Sequence, residues 1–90
     1  RDHRGERLVS RVLAGLYIAA ADALSVGHYA SATATLRQIA EDTIRWPSLS
    51  CEADRLAAAL SHPLASAHPG TIRDLRMTAA DLAEAARDES

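Results

Sequence analysis

Apolar side chains recur near the start of the chain at Leu8, Val12, Leu16, Ala20 and Leu24, with Val9, Leu13 and Ala23 beside them. A spacing of four marks one face of a helix. Between Val12 and Leu24 the single charge is Asp22, and Tyr17 and Ile18 widen the stripe until little of the circumference is polar. Other helices pack against a helix that is apolar nearly all round, so this segment, about Glu6 to Val26, is expected to be central. Gly15 lowers helix propensity by about 1 kcal/mol relative to Ala, and its place here predicts a close approach of another helix. Gly27 is placed to adopt the left-handed conformation that closes a helix.

Three further segments repeat the helical period. Tyr29 to Arg45 presents Tyr29, Ala32, Leu36, Ile39, Ala40 and Thr43 on one side and Arg37, Gln38, Glu41, Asp42 and Arg45 on the other. Glu41 and Arg45 are a favourable pair four residues apart. Pro47 disfavours a helical backbone at Trp46, which sets a boundary there. Leu49 to Ser61 follows, with Ser48 as the expected N-cap, Glu52 in the first turn and Leu49, Ala53, Leu56, Ala57 and Leu60 as the inward stripe. Residues 62–70, HPLASAHPG, read as a connector in which Leu64 and Ala67 tuck one turn back on the bundle. Thr71 and Asp74 then form a start signal resembling a capping box. The last helix runs to Arg87 or Asp88 on Ile72, Leu75, Ala79, Leu82, Ala83 and Ala86.

Four helices with short connections predict an all-α fold: a small four-helix antiparallel bundle with helix 1 central. The whole of residues 1–90 reads as a single helical domain, since a chain this size has surface enough for one core. Residues 1–5 are expected to fray. Residues 1–11 carry a local charge of +2 and residues 81–90 one of -3, and antiparallel packing brings these ends together.

Composition narrows the class. With 12 acidic and 10 basic residues there is no general pull toward nucleic acid or an anionic membrane. No run approaches the ~18 to 20 apolar residues that span a bilayer, and RDHRGER is too polar for a signal peptide. One cysteine, Cys51, precludes an internal disulfide and fits a reducing, cytoplasmic setting; it lies half a turn off its stripe, as a partly buried, inert thiol. All ten basic residues are arginine, Lys, Asn and Phe are absent and Ala makes up about a fifth of the chain, a bias that points to a GC-rich bacterial genome or its phage. The only methionine is Met77, so the chain reads as trimmed or cut from something longer.

Candidate chemistry is sparse. There is no Gly-rich phosphate loop, HExxH, paired-carboxylate motif or recognisable nucleophile context, so an enzyme is not the favoured reading. A scattered set such as His28, Tyr29 and Glu41 is the best catalytic candidate available. His62 and His68 fit no zinc spacing, and neither a metal nor a cofactor is expected.

Two local resemblances bear on function. Gly27, Tyr29 and Ala32 match the G-x-Y-x-x-A run at the turn of a tetratricopeptide helix pair, with Leu16, Leu36 and Pro47 near their expected places. That resemblance implies peptide binding in a groove. LRQIAED followed by SLSCEADRLAAAL is similar to the repressor helix-turn-helix, in which an L-x-x-I-A-E helix precedes a Ser-capped recognition helix, and implies a DNA-binding regulator domain. The face that would read DNA carries Glu52 and Asp54 with Arg55 alone to meet phosphate, so nucleic acid is not the expected partner.

The favoured expectation is a helical protein–protein interaction or self-association module, part of or partner to a larger bacterial protein, whose apolar faces exceed what one small core needs. Homo-oligomerisation through helix 1 is its leading form. Tyr17, Ile18, Trp46 and Met77 are the expected interface residues. Trp46 is weighed between a binding hot spot and a seal over one end of the core.

Overall fold

The computed structural model describes residues 3–62 and 69–88. Its elements are α1 (His3–Ser25), α2 (Tyr29–Asp42), α3 (Pro47–Leu60) and α4 (Pro69–Asp88), and together they form the expected all-α antiparallel bundle. The helix starts at His3, inside the stretch expected to fray. The remainder of that stretch, together with Leu64, Ala67 and His68, lies outside the described residues.

Gly27 sets the first turn. Its φ is 78°, a backbone that costs glycine nothing and a residue with a Cβ about 1 to 2 kcal/mol. The Gly27 N–H donates to the Leu24 carbonyl at 3.1 Å and the His28 N–H to the Ala23 carbonyl at 2.8 Å, the paired bonds of a Schellman closure. α2 therefore starts at once and runs back along α1.

The second turn differs from expectation. α2 ends at Asp42, three residues early, with Thr43 as its C-cap; Thr43 is fully buried and its Oγ1 donates to the Ile39 carbonyl at 2.7 Å. Glu41 and Arg45 consequently do not share the α2 helix. α3 begins at Pro47, with Trp46 as its N-cap in place of Ser48. Proline suits a first helical position because its missing N–H would have had no partner there. Ser50, from the first turn of α3, donates its hydroxyl to the Ala40 carbonyl at 2.8 Å and so satisfies one of the open carbonyls at the end of α2. By the same logic α4 starts at Pro69 rather than Thr71, and Thr71–Asp74 is not its start signal.

The helices stand in the order α4, α1, α2, α3, each packed on the next. α1 is central, as expected, and shares that position with α2. Exposed Asp22 and Arg76 meet at 2.9 Å across α1 and α4, which places the end of α1 beside the start of α4. Among the described residues no Cα of α3 lies within 8 Å of one of α4, so the fourth side of the bundle is open.

The core is built from Tyr17, Ala20, Ala21 and Leu24 of α1, Ala32, Leu36, Ile39 and Ala40 of α2, Ala53 and Ala57 of α3, and Leu75 and Ala79 of α4. Alanine dominates it, which lets α1 and α2 approach closely and leaves the Leu36 and Ile39 side chains as its largest fully buried ones. On α1 the buried face is displaced from the expected stripe: Leu13, Ala14 and Tyr17 are buried, Leu16 is partly so, and Val12 is 59% exposed. Helix length gives the reason. α1 has 23 residues and α2 has 14, so at 1.5 Å per residue they are about 35 Å and about 21 Å long. Joined at Gly27, they leave α1 running past the end of α2, so α2 does not cover Val9 and Val12. Gly15 lies on an exposed side of α1 with no atom within 4 Å of where a Cβ would sit, so the expected close approach does not occur there.

Candidate functional site

The first candidate surface is the overhang of α1. Where α2 runs out, Val9, Val12 and Leu13 of α1 and Asp42 of α2 line a hollow of about 280 Å³ whose walls are almost wholly apolar. Val9 and Val12 are exposed, and so are Ile44 and Trp46, which follow Asp42 by two and four residues in the turn at this end of the molecule. Trp46 is 44% exposed, so part of its ring stays in solvent.

Ile18 and Met77 are exposed as expected but belong to other faces. Ile18 is six residues from Val12, about 120° away around the helix at 3.6 residues per turn. Tyr17 is the correction among the expected interface residues: it is 6% exposed and part of the core. An aromatic ring between Leu13 and Ala21 on one helical face fills the space in the bundle that the surrounding alanines leave.

The second candidate surface is the open side of the bundle. A groove of about 370 Å³ lies between α3 and α4, with Tyr17 and Leu36 contributed from beneath by α1 and α2. One wall is Leu49, Glu52, Ala53, Arg55 and Leu56 of α3, and the other is Thr71, Asp74, Leu75 and Thr78 of α4. Volumes of this order accommodate small molecules, and an apolar floor with a few polar groups is their usual lining. Arg55 lies 3.6 Å from Glu52, both well exposed. Burial pushes the Tyr17 phenol above its ordinary 10.0, and the nearby Glu52 carboxylate adds to the effect, so the hydroxyl keeps its proton. Periodicity marks neither groove nor floor, because the groove exists only through the failure of two successive helices, α3 and α4, to close on one another.

The remaining candidates come apart in the fold. His28 and Glu41 are exposed near opposite ends of α2, about 20 Å apart at 1.5 Å per residue, so His28, Tyr29 and Glu41 form no site. Cys51 is exposed, not partly buried. Among the described residues no group of three or more His, Cys, Asp or Glu is arranged to hold a metal ion, and no helix is long and apolar enough to cross a membrane. On α3 the exposed Glu52 and Asp54 flank Arg55, whose guanidinium is already beside a carboxylate; a phosphate backbone would meet net negative charge.

Comparison with protein-family models, with curated proteins and with solved structures finds no match for the chain.

Proposed function

We propose that the chain is a helical interaction module that self-associates through the overhang of α1, as part of or partner to a larger protein of the bacterial cytoplasm. The observation that carries this reading is the apolar hollow at Val9, Val12, Leu13 and Asp42, where Val9 and Val12 are themselves exposed, at the end of the molecule that also carries exposed Ile44 and Trp46. Exposed apolar side chains scattered singly are ordinary on a protein surface, but several gathered at one end beside an apolar hollow favour a partner.

A second copy fits this end in particular. The overhang offers a ridge in Val12 and a recess beside it, so two copies related by a two-fold axis can each place the ridge of one in the recess of the other. Exposed Arg11 on α1 and exposed Asp42 at the rim carry opposite charges that such an axis can bring together. The single exposed thiol, Cys51, suits a reducing compartment, where it stays free.

Sedimentation velocity over a wide micromolar range tests the reading. The weight-average mass should rise with concentration, Val12→Glu should hold the chain monomeric, and Ile18→Glu, on a different face, should leave association intact. A monomer at every concentration, or unchanged association in Val12→Glu, would sink it.

A further inference from the structure

The α3–α4 groove holds a polar group that the fold leaves without a use. The Tyr17 side chain is more than nine-tenths buried and lines the groove, yet among the described residues its hydroxyl has no hydrogen-bond partner. Buried hydroxyls are ordinarily paired, and phenylalanine would fill the same core position without leaving one open. Glu52 on α3 and Asp74 on α4 line the opposing walls, and among the described residues Arg55, itself beside Glu52, is the one cation lining them. Like charges facing one another across a partly apolar cleft repel, and a cation between them relieves that repulsion.

We propose that this groove binds a small organic cation with an apolar body. The body lies on Leu49 and Leu56, and an ammonium or guanidinium head sits between Glu52 and Asp74 and donates an N–H to the Tyr17 hydroxyl oxygen. Because the phenol stays protonated, it presents a neutral oxygen and an O–H. The site is separate from the α1 overhang and does not depend on self-association.

Three probes with one body and different heads test it: 4-phenylbutylamine, 4-phenylbutanol and 4-phenylbutyrate, titrated into the isotopically labelled protein and followed by amide chemical shifts. The amine should give saturable shifts confined to the walls of α3 and α4, with the alcohol weaker and the carboxylate weakest. Tyr17→Phe should weaken the amine about fivefold, the worth of one net hydrogen bond, and Asp74→Asn, an exposed change that leaves the core intact, should weaken it as well. Melting curves of both variants establish that they are folded. Shifts that spread over the surface without saturating, a carboxylate that binds as well as the amine, or amine binding unchanged in both variants would overturn the proposal.

Discussion

Asp22 and Arg76 stand 54 residues apart in the chain and bring their side chains to 2.9 Å across the line where α1 meets α4. Both remain about half exposed or more, so water and salt screen the pair. Arg76→Ala is therefore expected to lower stability by no more than about 1 kcal/mol, and the difference from the parent should shrink in high salt. Urea melts at low and high ionic strength check this. A loss of several kcal/mol that salt leaves untouched would mean that the guanidinium is held by more than this carboxylate.

Gly15 and Gly27, both in the first helical hairpin, should respond in opposite directions. At Gly15 the helix is regular and a Cβ meets nothing within 4 Å, so Gly15→Ala should stabilise by about 0.5 to 1 kcal/mol. At Gly27 the space is equally open but φ is 78°, so Gly27→Ala should destabilise by about 1 to 2 kcal/mol. Thermal denaturation of the two single variants decides both signs.

Leu36 and Val12 separate core from overhang. Leu36 is 0% exposed at the centre of the packed cluster, and Leu36→Ala should cost about 2 to 5 kcal/mol, the range for removing a buried leucine side chain. Val12→Ala should change the stability of the monomer by less than about 0.5 kcal/mol, as does the exposed Arg73→Ala. Measured at low protein concentration, a large loss at Val12 would show that the overhang folds against something within its own chain.

Tyr17 makes stability depend on pH at the alkaline end. Its phenol titrates above the unfolded value of 10.0, chiefly because burial disfavours the phenolate and secondarily because Glu52 is near. Above about pH 10 the unfolded chain loses this proton while the folded chain keeps it, so the folded state binds more protons. Stability is then whole below the unfolded value and falls as pH rises toward the folded one. In Tyr17→Phe that part of the decline should vanish, leaving a shallower loss above about pH 10. Identical alkaline slopes for the two proteins would mean that the phenol ionises as freely folded as unfolded.

Local signals in the chain carried most of the fold. Gly27 before Tyr29 marked a turn because a single residue type relieves a left-handed backbone, and Trp46-Pro47 marked a boundary because proline restricts the residue before it. Proline bounds a helix but also suits its first position, which is why α3 and α4 begin two residues earlier than their capping residues suggest. The displaced face of α1 was not legible in its own periodicity. Whether Val12 is covered depends on how far α2 reaches, and that is a property of another segment. Tyr17 looked like surplus apolar surface for the same reason: the room for its ring comes from small residues on neighbouring helices, Ala53 and Ala79 among them, that a pattern along one helix does not contain.

The arrangement of the helices in a row has a consequence for how the molecule comes apart. α4 packs on α1 over the most extensive contact in the molecule, while α3 leans on α2 alone, so α3 can lift away while the other helices hold. Amide hydrogen exchange should then fall into tiers, with Ala20, Ala21, Leu36 and Ile39 protected to the level of complete unfolding and the amides of α3 exchanging through a cheaper, partial detachment.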